Sequence, residues 1–441
     1  MNACTRPNFI FILADDLGYA DLGCYGGRKP VSPNLDRMAQ QGLRFTQGYS
    51  NSPVCSPTRF ALMTGRWQYR LRGAAEEPLS ARKAIASGLG LPPEHPTFVS
   101  LLREAGWRTA LVGKWHLGFP PDFGPLKSGY DEHFGPYSGG VDYFTHQALR
   151  GGHDLWKNGE ECFETGYLTD LLSDQAVDFV KRCAQGNQPF ALSLHYTAPH
   201  WPWETREDEA VSATLNGEMQ HARGGNIHTY QKMIHHMDEG IGRLMAALAD
   251  NGLDDNTFVV FTSDNGGERF SDNWPLIGGK MDLTEGGIRV PYIVRWPGRI
   301  PAGSVNHEPV ITMDWSATFL DAAGVAQAAD YPMDGASLLA LVQAPQTTQL
   351  DRALFWRMKY RDQRAMRQGN WKYLRIEEWE YLFDLSADER ERANRAVDEP
   401  ERMDAMRSAC EAWYDSMPPI PAGATYSLVV TERDMPGTHL R

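Results

Sequence analysis

Five short apolar runs punctuate the chain: 8–14 (NFIFILA), 108–113 (RTALVG), 189–196 (PFALSLHY), 257–263 (TFVVFTS) and 291–296 (PYIVRW). Each is rich in β-branched or aromatic residues and bounded by turn-forming ones, the pattern of strands buried on both faces. Between them lie longer stretches of mixed polarity that read as helices, at 33–42, 96–106, 167–184 and 228–252. Three of these stop near glycine or an Asn-Gly pair, a common helix stop. Strands alternating with helices predict an α/β sheet covered on both faces. Beyond about residue 345 the pattern changes. The segment RALFWRMKYRDQRAMRQGNWKYLRIEEWEYLFDL (352–385) alternates apolar and charged positions and turns at Gly369-Asn370. That predicts antiparallel strands with one face exposed. A charged, helix-forming stretch at 387–416 and a Pro-rich tail follow. The expected organisation is a large α/β domain over 1–345 and a small α+β subdomain over 346–441.

Composition narrows the partners. A length of 441 residues with 42% hydrophobic and 22% charged positions is that of a globular protein with a large core. The net charge of -13 argues against nucleic acid or an anionic membrane as a partner. The six cysteines (Cys4, Cys24, Cys55, Cys162, Cys183, Cys410) are dispersed and form no C-x-x-C pair, which points to a reducing compartment rather than a disulfide framework. The first apolar run is brief and ends directly in Asp15-Asp16, so it reads as a buried strand, not a span or leader, and the expected location is cytoplasmic. No heptad or isolated apolar patch fixes an oligomeric state, which leaves a homo-oligomer open.

Ligands of open α/β sheets bind beyond the carboxyl ends of strands. Four strand ends here carry unusual polar groups: Asp15-Asp16, Lys114-Trp115-His116, Pro199-His200 and Asp264-Asn265-Gly266-Gly267. Each has an ordinary alternative. The aspartates could cap helices, Asp264-Asn265-Gly266 could be a plain turn, Lys114 a solvated loop lysine, and the histidines structural. Convergence on one edge of one sheet favours a site. Three carboxylates and an amide oxygen make a hard donor set, suited to Ca2+ or Mg2+ rather than Zn2+. With a divalent ion their charges sum to about -1, and Arg59, Lys114, His116 and His200 would turn the pocket positive for an anionic substrate.

The segment 53–65, PVCSPTRFALMTG, adds a cysteine ahead of Pro57 and Arg59. It resembles the activation motif of type I sulfatases, C-x-P-S/T-R followed by x-x-Leu-Met-Thr-Gly. GWRTALVGKWHLG (106–118) looks like that family's second motif, with Trp107 where tyrosine or valine is usual. LADDLGYADLGCYG (13–26), APHWP (198–202), SDNGGE (263–268), NWPLIGGKMDLTEGGIRVP (273–291) and EYLFDLSADERERANRA (380–396) are similar too, in the family's order. The resemblance implies an alkaline phosphatase-like fold: a large mixed sheet between helices plus a small four-stranded C-terminal antiparallel sheet. It implies sulfate monoester hydrolysis (an arylsulfatase-type activity on aryl, small alkyl or sugar sulfates), with Cys55 converted to 3-oxoalanine (Cα-formylglycine) by a formylglycine-generating enzyme. It makes Asp15, Asp16, Asp264 and Asn265 the ligands of Ca2+ (Mg2+ or Mn2+ would also fit), with residue 55 completing the set. Lys114, His200 and Lys280 would hold the sulfate oxygens, and Arg59 and His116 the formylglycine oxygens. Lys280 comes from the motif alone.

The chemistry gives a reason for the aldehyde. A thiolate is a soft nucleophile for a hard sulfuryl centre, and a serine would leave a sulfate ester to be hydrolysed. A hydrated aldehyde has two geminal oxygens, one to attack sulfur and one whose deprotonation expels sulfate. His116 is the expected base for that release. His200, with Lys280, is the expected acid for the leaving oxygen. A formylglycine-dependent phosphonate monoester or phosphodiester hydrolase shares nearly all these residues and stays open as an alternative. A two-metal phosphatase would carry Asp-His where this chain has Asp264-Asn265, and a degenerate, non-catalytic anion- or Ca2+-binding protein is the remaining reading. Trp67, Tyr69, Trp201 and Trp203 lie close in sequence to these segments and are either an aromatic rim for the leaving group or core packing. The acidic composition favours a small ester over a polysaccharide.

Overall fold

The computed structural model describes residues 6–148, 152–214, 224–346 and 348–428, so Cys4 and the end of the Pro-rich tail lie outside the described residues. The apolar runs form the centre of a 10-stranded mixed sheet. Its order is Ser304–Asn306, Leu43–Phe45, Tyr292–Arg295, Thr257–Ser263, Asn8–Ala14, Phe190–His195, Arg108–Gly113, Glu132–Gly135, Trp156–Lys157, Glu160–Glu161. The strands from Thr257–Ser263 to Glu132–Gly135 run parallel, and Tyr292–Arg295 is antiparallel to its neighbours. Alternation along Asn8–Ala14 explains why this strand is apolar from Phe9 to its end. Ile10, Ile12 and Ala14 face one core with helices Leu168–Ala184 and Ile227–Asp250. Phe9, Phe11 and Leu13 face a second core with helices Cys55–Thr64, Phe98–Glu104 and Asp314–Ala323.

The C-terminal strands Ala353–Met358, Gln363–Gln368, Trp371–Ile376 and Trp379–Asp384 form a four-stranded antiparallel sheet in sequence order. One face packs Leu354, Trp356, Leu374 and Phe383 against Tyr49, Val54 and Cys55 of the large unit. The other face, expected to be exposed, is covered. Met366, Tyr373 and Leu382 pack on Met403, Met406 and Cys410 of helix Pro400–Ser416. The helix expected over 387–416 is shorter for a local reason. Asp388 accepts from the Arg392 and Ala393 amides, and Asn394 accepts from the Leu382 and Ala396 amides. Such side-chain bonds hold the backbone in turns until Pro400, at the first helical turn, starts the helix. The five described cysteines are free, and no helix among the described residues is long and apolar enough to cross a membrane.

Candidate active site

Sheet order and register bring the strand ends together. Ala14 pairs with Ser263, so Asp15 and Asp264 leave neighbouring strands at the same level. Leu13 and Gly113 flank His195 from either side, which places Lys114 in the same row. Consecutive residues of a strand point to opposite faces. Asp16 escapes this rule by taking φ 65°, a left-handed turn that aspartate tolerates and that brings its carboxylate back beside that of Asp15. The Ser263 hydroxyl fixes the turn by accepting from the Leu17 amide at 3.0 Å. His116 sits at φ 61° after Lys114, by the same device.

Cys55 opens helix Cys55–Thr64 with Val54 extended before it. The preceding loop is closed by Thr58, whose hydroxyl accepts from the Ser52 amide at 3.0 Å and donates to the Ser52 carbonyl at 3.1 Å. Cys55 Sγ and one carboxylate oxygen each of Asp15 and Asp264 lie within 4.8 Å of one another, all buried. Arg59, one turn further on the same face, donates from Nε and Nη2 to Asp264 Oδ2 at 3.1 and 2.8 Å, and from Nη1 to the Lys114 carbonyl at 3.1 Å. Lys114 Nζ lies 2.5 Å from Asp15 Oδ2, and Lys280 Nζ 2.7 Å from Asp16 Oδ2. Asn265 Nδ2 donates to Asp16 Oδ1 at 2.7 Å.

The protonation states follow from these surroundings. Burial pushes Asp16 up, but Lys280 and His200 together outweigh it and hold the carboxyl at about 2. Burial and the neighbouring Asp15 raise Asp264 against the pull of Arg59. Burial pushes the Cys55 thiol up to about 11 although Lys114 and Lys280 pull it down, so the unmodified side chain is a thiol at neutral pH. His116 lies well below its usual value through burial and the nearby Lys114 and Arg59. Its Nε2 is 2.9 Å from the Leu79 carbonyl, which only accepts, so Nε2 carries the proton and Nδ1, buried and unpartnered, is a free base. His200 is held down to about 3 by burial and Lys280. Its Nδ1 donates to the Trp201 carbonyl at 2.6 Å, which leaves Nε2 facing Asp16 Oδ2 at 3.6 Å.

Asp15 Oδ1 and Asn265 Oδ1 are buried without a hydrogen-bond partner. Two stranded hard acceptors beside three clustered carboxylates fit a hard divalent cation, whose oxygen ligands at about 2.3–2.6 Å span the separations found here. Among the described residues a second grouping, Asp15, Asp16 and His200, is also close enough to share an ion.

All ten sequence-derived candidates therefore meet at one end of the sheet. Of the four aromatics, Trp67 and Tyr69 are core: both pack edge-on to Trp413 under the small sheet. Trp201 stays at the site, with its ring 4.3 Å from that of His200. Two features escaped sequence reading. A Cβ on Gly139 would lie 2.4 Å from the His116 ring, so only glycine lets that loop cover the imidazole. Glu268, within SDNGGE, has a buried, unpartnered Oε2 and is pushed up to about 7, chiefly by burial, against the pull of Lys280. The motif carried that signal, but no role was attached to the residue.

The chain is similar to known proteins over most of its length. A family model described as "Sulfatase" matches residues 7–325, and one described as "N-sulphoglucosamine sulphohydrolase, C-terminal" matches 279–411. The chain is 37% identical over 372 residues to N-acetylgalactosamine-6-sulfatase of Canis lupus familiaris, covering 79% of this chain and 68% of that protein. It is 32% identical over 420 residues to steryl-sulfatase of Mus musculus, covering 76% and 65%. Among solved structures, Ps i-CgsB in complex with k-i-k-neocarrahexaose superposes with a TM-score of 0.83 at 33% identity, over 92% of both chains. Phosphonate monoester hydrolase of Agrobacterium radiobacter shares the fold, with a TM-score of 0.64 at 20% identity over 93% of this chain and 96% of that one.

Proposed function

The chain belongs to the sulfatase family and is a sulfuric ester hydrolase, and on that premise we propose that it cleaves sulfate monoesters of sugars through a formylglycine made from Cys55. The observation that carries the reading is the position of Cys55 Sγ beside the Asp15 and Asp264 carboxylates at the start of a helix. The names of two similar proteins, N-acetylgalactosamine-6-sulfatase and the structure bound to k-i-k-neocarrahexaose, support a sugar as the alcohol. So does Trp274, half-exposed on the loop that Asn273 anchors to Gly267 and Gly278 beside the site.

Asp15, Asp16, Asp264 and Asn265 would hold the divalent cation, with residue 55 completing the set. Ca2+ fits the oxygen-rich donors best. Together, the cation and the aldehyde hydrate supply a nucleophilic oxygen at neutral pH and a route back to the aldehyde once sulfate leaves. The protein's own residues do the rest. Lys114 and Lys280 bind the sulfuryl oxygens and stabilise the charge that develops there, and His200 joins them when its Nε2 takes a proton from Lys280. Arg59 fixes Asp264 and the nucleophile's helix. His116 Nδ1 takes the proton whose loss releases sulfate, and its Nε2–H bond to Leu79 keeps that nitrogen bare. The leaving oxygen receives its proton from the His200–Lys280 pair, in which the lysine ammonium holds the proton more firmly. Overall, ester and water give alcohol and sulfate.

Two measurements test this on protein co-expressed with a formylglycine-generating enzyme. Intact mass should fall about 18 Da below the sequence mass. A panel of sugar sulfates, nitrophenyl sulfate and a phosphonate monoester should be turned over in that order of preference for sulfate over phosphonate. Full sulfatase activity after Cys55→Ala would end the proposal.

A further inference from the structure

We infer that Gln363, at the start of the second strand of the small sheet, is the positioning residue that sets Lys280 over the reacting sulfuryl group; this rests on the role given to Lys280 above. Lys280 lies at no strand end. It sits on a loop, and its ammonium reaches Asp16 Oδ2 at 2.7 Å. The next residue, Met281, has φ 76°, a backbone conformation that an L side chain rarely adopts and that persists only where neighbours impose it. Three contacts impose it. The Lys280 amide donates to the Gly267 carbonyl at 3.1 Å, two residues past the ligand Asn265. The Met281 amide donates to the Pro53 carbonyl at 2.8 Å, two residues before Cys55. On the far side, Gln363 Nε2 donates to the Met281 carbonyl at 2.9 Å while its Oε1 accepts from the Leu283 amide at 2.9 Å.

The amide spans the left-handed residue like a bracket. Its second N–H donates to the Tyr360 carbonyl at 3.0 Å, so two donors and one acceptor are engaged in a side chain that is 1% exposed. Neither glutamate nor leucine can make this set: a carboxylate would face two carbonyls, and leucine offers nothing. Gln363 touches no reacting atom. It couples the C-terminal sheet to the one of the three site cations that is carried on a loop, neither at a strand end nor on a helix, and through Met281 to the nucleophile's loop.

The test is a double-mutant cycle on matured, Ca2+-loaded enzyme, reading both kcat/KM for 4-nitrophenyl sulfate and the calorimetric Kd for inorganic sulfate. Gln363→Ala should lower kcat/KM by about 10- to 100-fold, mainly in kcat, and weaken sulfate binding. In a Lys280→Ala background the same change should cost less than about twofold in Kd, because there is no ammonium left to place. Equal losses in both backgrounds, or wild-type behaviour of Gln363→Ala, overturn the inference. Gln363→Glu, which keeps the shape and the Leu283 bond, runs the same cycle if the alanine variant does not fold. A Cys55→Ala control separates the two claims: retained activity there removes the formylglycine reading, while the sulfate-binding cycle still reports the coupling of Gln363 to Lys280.

Discussion

Replacing Arg59 by lysine keeps the charge and removes the fork. In the native site Nε and Nη2 converge on Asp264 Oδ2 at 3.1 and 2.8 Å while Nη1 reaches the Lys114 carbonyl at 3.1 Å. An ammonium on a flexible stem can keep one aligned bond to Asp264 but cannot also serve the carbonyl. That carbonyl is not stranded, because His195 Nδ1 lies 3.3 Å away. The loss is therefore two hydrogen bonds, one of them to a carboxylate. Bonds to charged groups are worth about 1.5–3 kcal/mol each, and the retained ion pair recovers part, so about 3 kcal/mol is expected. Because Asp264 is a candidate cation ligand, the same displacement reaches the chemistry. A misplacement of about 1 Å costs on the order of 10²-fold. Arg59→Lys should thus lower kcat/KM for nitrophenyl sulfate by about 10²-fold and reduce the urea-unfolding free energy by about 3 kcal/mol. Since total charge is unchanged, any loss reports geometry and not field. A variant that loses the stability but keeps activity within about threefold would refute the argument, leaving the fork a folding device only.

Three further outcomes are expected. Glu204 is buried, with one unpartnered oxygen, close to Asp142 and Asp208; burial and then Asp142 push it from 4.5 up to about 9. A raised acid stabilises the fold fully below its unfolded value and loses that contribution as pH rises through the folded one, so stability should decline between about pH 5 and 9 and Glu204→Gln should flatten that decline in thermal unfolding. His200→Ala should slow alkyl and sugar sulfates far more than nitrophenyl sulfate, whose leaving group needs a proton least; equal losses would remove the acid role. Chelation of divalent ions should lower activity and unfolding temperature together, with Ca2+ restoring both, since a cation at about 100 times its Kd adds about 2.7 kcal/mol; an unfolding curve indifferent to chelator would count against the metal site.

The strand ends were legible because the apolar runs are short and uninterrupted, and each stops at a group that a buried strand has no use for. What the runs do not encode is their order. Asp15 and Asp264 are neighbours only because Asn8–Ala14 lies beside Thr257–Ser263, some 250 positions away in the chain on the order of the whole domain. Proximity in sequence to the site segments did not decide between rim and core. Trp67 closely follows the helix that Cys55 opens, yet that helix ends at a left-handed Gly65 that turns the chain away under the small sheet. The stretch 387–399 has helical composition, but the bonds from Asp388 and Asn394 to nearby amides are available only in turns and decide the outcome. Gly139 was unreadable for a simpler reason: a close approach of backbone to a ring leaves no pattern in sequence.

Charge explains why these residues occur as a set. Three buried carboxylates, Asp15, Asp16 and Asp264, face three buried cations, Lys114, Lys280 and Arg59, and the two histidines are neutral. These six groups balance one another, as charges removed from water must. A divalent cation shifts the balance to about +2, and a monoanionic ester leaves about +1. Bond cleavage leaves that total unchanged but moves negative charge onto the departing alcohol oxygen and the sulfuryl oxygens, where the cations lie. Cations placed where that charge accumulates are better matched in the transition state than in the ground state, which is the differential stabilisation that catalysis requires. Removing any one cation spoils that match, and removing a carboxylate spoils the neutral resting state, so neither half of the set can be exchanged alone.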